Sequence, residues 1–193
     1  MDLFDAIINR YSHKEGFKPY GVLTEDLNQI AQAGLDAPSG NNRRTVQLIL
    51  LPDRRYIDPV CDVHPTIGLR TAPAAIAVFT DKSLTPEGER SFEKEDYSAA
   101  VQNILLAATA LGYSSLWLDS PYFKEENKEK VREILGAPEY FYLWAVIPIG
   151  KPDGVGIERV KEPIEKRASY GKYGCKENLN KKKEIKYNYV LDY

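Results

Sequence analysis

The sequence contains few of the residues that build disulfide frameworks and metal sites. Its 193 residues include 2 cysteines and 2 histidines. Cys61 and Cys175 lie far apart without C-x-x-C spacing, so we expect no structural disulfide and interpret both thiols as inert. Two histidines are too few for a typical histidine-ligated metal site, and no metal is predicted. This cysteine usage is typical of a reducing compartment, so we expect a cytoplasmic protein.

Long apolar runs and a strong excess of one charge are also missing. Every apolar run is shorter than the roughly 20 residues needed to span a bilayer, and residues 1–5 lack the basic and apolar regions of a secretory signal. The formal net charge of −2 gives no general attraction to nucleic acid or to an anionic membrane. We therefore expect no membrane partner and no nucleic-acid partner.

The sequence also lacks the common nucleotide-binding and catalytic motifs. No G-x-G-x-x-G follows a strand-like run, and no G-x-x-x-x-G-K-[ST] occurs, which argues against a Rossmann or P-loop site. The two histidines form no convincing Ser-His-Asp or Cys-His arrangement. The motifs therefore indicate no nucleophile–base pair.

The most informative stretch that is present covers residues 96–118. From Ala99 to Leu111, apolar residues surround nearly the whole circumference of a helix, which predicts a helix buried on all sides. An acidic residue at or before Asp96 suits its N-terminus, and Gly112 suits the left-handed position after its C-terminus. The pattern fits the central helix of a monomer and the central helix of a dimer equally well.

The other elements alternate between helix and strand, which is typical of an α/β or α+β sandwich around one sheet. Helices are predicted over residues 2–9 and over residues 124–135. A further helix is predicted from an N-cap at Thr24 to a point before Pro38, with Leu35 facing inward. Strands are predicted over residues 46–51, 74–79, 114–118 and 141–149.

Three segments have no clear regular structure in this reading. Residues 52–72 show no period, and residues 82–95 are polar and expected to be mobile. Residues 172–186 are rich in lysine, which is typical of a solvated face, although a nucleic-acid patch is the alternative. The aromatic residues at the end of the chain are expected to pack on a surface, such as that of a partner subunit. We predict a single domain over 1–193, with 166–193 as a C-terminal extension.

Two short motifs combine residue types that bind anionic ligands. Arg10-x-Ser12-x-Lys14 places two cations and a hydroxyl at alternate positions after a helix, which suits a dianionic phosphate but also an ordinary exposed surface. Pro38-Ser-Gly-Asn-Asn42 offers hydroxyl, amide and backbone groups before a strand, or forms a plain connection. Neither motif is decisive alone.

In this order along the chain, the pieces resemble the nitroreductase family of FMN-dependent oxidoreductases. The resemblance rests on Ile7–Lys14, Ala37–Asn42, the Gln102-Asn103 helix with Gly112–Trp117, Ile147–Pro152 and Val160–Glu165. It implies an α+β fold with a mixed, mostly antiparallel sheet flanked by helices. It also implies a homodimer around the long central helix, with two FMN sites at the interface and the C-terminal segment extending over the partner.

The resemblance further implies which residues bind FMN. The candidates are Arg10, Tyr11, Ser12, Lys14, Pro38, Ser39, Gly40, Asn42, Leu118, Asp119, Ser120, Arg159 and Lys161. Arg10 and Ser12 are expected to hold the phosphate, and Lys14 to stabilise the reduced flavin near N1 and O2. Lys161, with Arg159 as a nearby substitute, is expected to supply a second phosphate-binding cation.

Two other segments complete the site that the resemblance implies. The Pro38–Asn42 segment is expected to reach the flavin from the other subunit, and the segment from Leu118 to Ser120 to face the ring near N5. The family often continues the Asn42 motif as Asn-x-Gln-Pro-Trp, whereas here Arg43-Arg-Thr-Val46 follows Asn42. Ser120 stands where glycine is common.

The implied activity is transfer of electrons from NADH or NADPH through FMN to an electron-poor small molecule, a nitroaromatic or a quinone, by a ping-pong mechanism. The choice between NADH and NADPH and the physiological acceptor stay open. One alternative is a flavin-binding or redox-sensing protein without turnover. Another is a reductive dehalogenase or a flavin-destroying enzyme of the same family, which requires a substrate lid such as residues 82–95.

Overall fold

A computed structural model of the chain describes residues 1–119, 124–154, 161–177 and 179. The chain divides into two compact units, Met1–Gly156 and Ile157–Tyr193. The first unit is an α+β sandwich with helices around one antiparallel sheet, which confirms the predicted fold class.

A four-stranded sheet forms the centre of the first unit. Its strands are β1 (Val46–Leu51), β2 (Ala74–Asp81), β3 (Ser114–Ser115) and β4 (Phe141–Gly150). They pair antiparallel in the order β1-β2-β4-β3. The two inner strands are buried along most of their length, because both faces of the sheet are covered. Their apolar runs are therefore continuous rather than alternating.

The helices of the first unit are α1 (Leu3–Asn9), α2 (Thr24–Leu35), α3 (Arg54–Val63), α4 (Ile67–Thr71), α5 (Glu93–Ala110) and α6 (Glu125–Ile134). The second unit contains α7 (Ile164–Arg167). Short 3₁₀ turns occur at Gly40–Asn42 and Lys82–Leu84. Within the described residues, no helix combines the length and apolarity needed to cross a bilayer.

Alternate side chains of β2 belong to two different hydrophobic cores. Ile76 and Val78 pack in the core that contains residues of α2 and α5. Ala77 and Phe79 point the other way, into the core that contains residues of α3 and α6. This alternation follows from the two-residue period of a strand, and it fixes both helical layers to the same central strand.

The longest helix, α5, begins one turn earlier than the sequence suggests. It starts at Glu93, so Asp96 lies inside the first turn rather than at the N-terminus. The C-terminus is as predicted: Gly112 has a φ of 75°, and the Tyr113 N–H donates to the Ala108 carbonyl at 2.8 Å. This pattern closes the helix with a Schellman motif.

The prediction that α5 is buried on all sides is wrong for a single chain. Val101, Ile104 and Ala108 are fully buried, and they follow the three- and four-residue spacing of one helix face. Gln102 and Ala110 are exposed on another face. The helix is therefore covered on one side by its own chain and open on the other.

Two other sequence predictions for the first unit need correction at helix α2 and strand β3. Helix α2 starts at Thr24 with Leu23 as its N-cap, and no side chain caps it. Leu35 is 49% exposed because it lies in the last turn of α2, beyond the face that contacts the core. The predicted strand over 114–118 is shorter: β3 has two residues, and Leu118 adds an isolated bridge to Val146.

The segment without a clear period, residues 52–72, contains the two helices α3 and α4. Asp53 caps α3 by accepting from the Arg55 N–H, and Thr66 caps α4 by accepting from the Leu69 N–H. Helix α3 also contains Pro59. The helices are short, and each buries only a few residues, so the apolar pattern is too brief to show a period.

We predict that Ile104→Ala lowers the free energy of unfolding by about 2–5 kcal/mol. Ile104 is fully buried, and a Cβ placed on Gly34 of α2 would lie 2.8 Å from its Cγ1, so the two helices meet closely around this side chain. Urea unfolding at fixed protein concentration measures the change. The control is Lys130→Ala on the exposed face of α6, which should stay within about 0.5 kcal/mol. Equal effects of the two variants would contradict this packing.

Candidate functional site

The motif that begins at Arg10 lies on an extended segment directly after α1. The Arg10 N–H still donates to the Ala6 carbonyl at 3.0 Å, and the backbone then becomes extended. Ser12 forms a parallel bridge with Ser115 of β3, and the His13 N–H donates to the Ser115 carbonyl at 3.1 Å. The segment is therefore attached to the edge of the central sheet.

Side chains alternate between the core and the surface along this segment. His13 is 1% exposed; its Nε2 lies 2.7 Å from the Gly16 carbonyl oxygen, and its ring contacts Phe17. Ser12 and Lys14 are exposed, as the two-residue period of an extended chain requires. The buried histidine thus fixes the segment while the hydroxyl and the ammonium face outward.

The two cations of this motif lack partners within the described part of the chain. Neither the Arg10 guanidinium nor the Lys14 ammonium forms an ion pair or a hydrogen bond there. The buried Ser115 hydroxyl beside them also has no hydrogen-bond partner among the described residues. A guanidinium, an ammonium and hydroxyl groups on one short segment form a donor set that suits a phosphate. The residues present therefore fit the phosphate end of a nucleotide cofactor.

The second motif, Pro38–Asn42, lies in a tightly wound loop between α2 and β1. Asn41, Asn42 and Arg44 have φ values of 53°, 54° and 55°. Asparagine tolerates the left-handed region, but a bulky residue there costs roughly 1–3 kcal/mol. The Ser39 Oγ accepts from the Arg44 N–H at 3.0 Å, and the Asn42 Oδ1 accepts from the Arg44 Nε at 3.3 Å. The loop is thus shaped partly by its own polar side chains.

The first turn of α5 attaches to this loop. The buried Asp96 accepts from the Gly40 N–H through Oδ1 and from the Thr45 hydroxyl through Oδ2, each at 2.7 Å. Phe92 packs so closely on Gly40 that a Cβ at this glycine would overlap the ring. From the sequence alone, Asp96 is interpreted only as an acidic residue at a helix N-terminus. Its position among inward-facing apolar residues could have indicated that its side chain is buried.

Residues 89–92 also contact the 38–44 loop. The Arg43 guanidinium donates to the Arg90 carbonyl at 3.0 Å and forms an ion pair with Glu89. The Arg90 guanidinium lies over the Phe92 ring at 4.8 Å. Arg43, which directly follows Asn42, therefore connects the 38–44 loop to the segment considered as a lid.

The third predicted segment, Leu118-Asp119, continues from β3 along β4. The Leu118 N–H donates to the Val146 carbonyl at 3.2 Å, and the reverse bond is 2.9 Å. Burial raises the pKa of the Asp119 carboxyl; a backbone hydrogen bond and the positive charge of Lys128 partly offset this rise. Asp119 thus lies in a partly dehydrated environment at the same edge of the sheet as residues 10–14, which we call the cation segment.

Lys128 of α6 is the cation whose charge affects the Asp119 carboxyl at this edge of the sheet. Its side chain is 3% exposed, and its ammonium donates to Glu125 at 2.8 Å and to the Tyr142 hydroxyl at 2.6 Å. A hydrogen bond from Lys128 and another from Tyr142 lower the pKa of the Glu125 carboxyl. The charge of Lys128 therefore favours the ionised form of both neighbouring carboxyls.

An apolar surface lies beside the cation segment. Leu3, Phe4 and Ile7 of α1 are 62%, 67% and 47% exposed. A groove of about 240 Å³ lies between α1, α2 and α5; it is lined by Met1, Asp2, Leu3, Ala6, Ala33, Asn103, Leu106, Ala107 and Ala110. Apolar side chains that are exposed together in this way are typical of an interaction surface.

Comparison with known proteins identifies the family. The family model described as Nitroreductase family matches residues 65–151. A Methanothermobacter thermautotrophicus protein described as a "Putative NADH dehydrogenase/NAD(P)H nitroreductase" is 34% identical over 79% of this chain and 78% of its own length. The chain belongs to the nitroreductase family.

Solved structures of nitroreductase-family proteins agree in fold. A Bacteroides thetaiotaomicron structure with the same description has a TM-score of 0.76 and 33% identity, and the match covers 89% of this chain and 98% of that one. A Desulfovibrio desulfuricans structure, described as a "putative nitroreductase in complex with fmn", has a TM-score of 0.73 and 25% identity over 86% and 95% of the two chains. The predicted nitroreductase-like fold is confirmed.

The structure brings together part of the predicted site of this nitroreductase-family chain. Arg10, Tyr11, Ser12 and Lys14 lie beside β3, where the Ser114 hydroxyl donates to the Tyr11 hydroxyl at 3.2 Å. Leu118 and Asp119 continue from the same strand. Within the described residues, no hydrogen bond or ion pair links this cluster to the 38–44 loop.

The remaining predicted residues are Ser120, Arg159 and Lys161. Lys161 lies in the second unit and is exposed there, immediately before α7. Ser120 and Arg159 lie outside the described residues, as does nearly all of the chain beyond residue 177. The FMN-binding roles of these residues stay predictions.

We predict that Lys128→Met raises the pKa of Asp119 and of Glu125. Removing the ammonium removes a positive charge that stabilises both carboxylates, so each protonates at a higher pH. Carboxyl-carbon chemical shifts followed by NMR through an acid titration measure both midpoints. Lys130→Met on the exposed face of α6 is the matched control and should leave them in place. Unchanged midpoints in Lys128→Met would refute the role of Lys128.

Proposed function

We propose that two copies of this chain form an FMN-binding oxidoreductase that transfers electrons from NADH or NADPH to a nitroaromatic or a quinone in a ping-pong sequence. Family membership supports the oxidoreductase class, and the FMN complex of the Desulfovibrio relative supports the cofactor. The observation that carries the proposal is the pair Arg10 and Lys14 at the sheet edge, which have no hydrogen-bond or ion-pair partner within the described residues. The buried hydroxyl of Ser115, on the strand that pairs with this segment, likewise has no partner there.

The side chains of this edge bind and orient rather than react. The Arg10 guanidinium offers forked donors to a phosphate, and the exposed Ser12 hydroxyl offers a neutral donor. Lys14 on the same segment provides positive charge where negative charge develops on reduction. When bound, FMN supplies the hydride and electron chemistry. No side-chain acid or base is required, so pocket shape and charge govern the choice of acceptor.

The proposal includes a homodimer that pairs the open faces of α1 and α5. Exposed apolar residues of α1 lie next to the groove that Ala107 and Ala110 of α5 line, and small residues allow a second chain to approach closely. Among the described residues of one chain, no hydrogen bond or ion pair links the 38–44 loop to the Arg10 segment. A second subunit that brings its loop to the first subunit's cations would complete the site.

We predict that Arg10→Ala weakens FMN binding about 30- to 150-fold, which corresponds to about 2–3 kcal/mol for loss of a charged hydrogen-bonding partner. Quenching of flavin fluorescence during titration measures the dissociation constant. Lys18→Ala removes an exposed cation four residues beyond this segment and is the control, with little change expected. A chain that fails to bind FMN, or equal affinity of Arg10→Ala and the unaltered protein, would overturn the proposal.

Anaerobic stopped-flow mixing of the FMN-loaded protein with NADH and NADPH tests turnover. We expect rapid bleaching of the visible flavin absorbance with at least one donor and recovery of colour when a quinone or nitroaromatic is added. Binding of FMN without bleaching would instead favour the flavin-binding protein without turnover.

We predict that Phe4→Glu shifts the chain from dimer to single subunit. A charge placed in an apolar interface is costly to desolvate, and we expect the dimer dissociation constant to rise by about 100-fold or more, since interface aromatics are typical hot spots. Sedimentation velocity over a concentration series measures the change. Ile67→Glu is the control, because Ile67 is a similarly exposed apolar residue on α4. Sedimentation of the unaltered protein as one chain would contradict the dimer.

A further inference from the structure

The carboxylate of Asp96 joins both ends of the left-handed part of the 38–44 loop. The Gly40 N–H, before Asn41, donates to Oδ1, and the Thr45 hydroxyl, after Arg44, donates to Oδ2. The three left-handed residues therefore lie between two points that are fixed to one side chain of α5.

These two hydrogen bonds hold the loop firmly for an electrostatic reason. Asp96 is 2% exposed, and within the described residues it forms no ion pair with a cation. A buried carboxylate is unfavourable unless donors satisfy it, and charge-assisted hydrogen bonds are roughly twice as strong as neutral ones. The Asp96 charge therefore holds Gly40 and Thr45 more firmly than an uncharged acceptor would.

The loop needs such a restraint because its backbone conformation is unfavourable. Left-handed non-glycine residues persist when the surroundings determine them, and here the Phe92 ring and the Asp96 carboxylate do so from the side of α5. Releasing Asp96 would let residues 41–44 relax toward ordinary φ values. The positions of Ser39 and Asn42 would then change.

We propose that Asp96 is the positioning residue of the flavin-facing loop and that it acts across the dimer interface. This inference rests on the proposed function, in which the 38–44 loop of one subunit reaches the FMN held by Arg10 of the other. The first turn of α5 in one protomer thus sets how well the other protomer's cation segment binds its cofactor. Asp96 touches no cofactor atom itself.

The first test compares Asp96→Asn with Glu93→Gln. An asparagine removes the charge that strengthens both bonds. Its amide oxygen can still accept from the Gly40 N–H and its NH₂ can donate to the Thr45 hydroxyl, but these are neutral hydrogen bonds, so the loop is held less firmly. Glu93 in the same helical turn also accepts from a threonine, the Thr80 hydroxyl at 2.7 Å, but within the described residues it forms no hydrogen bond or ion pair with the 38–44 loop. We predict about tenfold or greater weakening of FMN binding for Asp96→Asn and less than about twofold for Glu93→Gln. Equal affinities of the two variants would overturn the inference.

Mixed dimers distinguish action across the interface from a general loss of structure. One subunit carries Arg10→Ala and the other Asp96→Asn, with different affinity tags for purification. If Asp96 acts across the interface, one site combines an intact Arg10 with an intact partner loop, and the mixed dimer binds one FMN with unaltered affinity. If Asp96 acts within its own subunit, both sites are damaged and no tight site appears, which would overturn the inference.

The failure of the inference can be told apart from the failure of the proposed function. No FMN binding by the unaltered protein, or no effect of Arg10→Ala, refutes the function and with it the inference. Weak binding by Arg10→Ala together with normal binding by Asp96→Asn refutes only the role of Asp96. If Asp96→Asn does not form a folded dimer by circular dichroism and sedimentation, Thr45→Val, which removes one of the two bonds, replaces it in both tests with the same readings.

Discussion

The parallel pairing of Ser12 with Ser115 determines where the predicted phosphate-binding segment lies. Strand β3 is itself paired with β4 in the rigid centre of the sheet, so a short segment after α1 acquires a fixed position that its own length could not provide. Buried His13 points inward at this pairing, Lys14 is exposed, and Arg10 is half-buried. The same strand leads into Leu118 and Asp119. One pairing thus brings two of the three predicted site segments together.

Buried strands and one helix end were predictable from the sequence because their signals are local. β2 and β4 are covered on both faces, which requires continuous apolar runs, and Gly112 adopts the left-handed conformation that few other residues tolerate. Helix α4 was missed because five residues are too few to show a helical period. The partners of Asp96 were missed because Gly40 and Thr45 lie 56 and 51 residues away in the chain.

The proposed dimer explains both the open face of α5 and the separation of the predicted site residues within one chain. A helix with apolar residues around most of its circumference is covered on one side by its own chain and presents the rest at the surface beside α1. The loop accepts two restraints from Asp96 and, within the described residues, forms no hydrogen bond with Arg10 or Lys14 of its own chain. Arg43 adds a further restraint through Glu89 and Arg90. A partner subunit would cover the apolar face and supply the missing half of the site.

A crystal structure of the protein grown with FMN tests the central claim most directly. We expect two chains paired along α5 and a flavin phosphate within hydrogen-bonding distance of the Arg10 guanidinium and the Ser12 hydroxyl of one chain. The loop containing Ser39 and Asn42 should approach the same flavin from the other chain. FMN bound away from Arg10, with Arg10 and Lys14 directed into solvent, would contradict the claim.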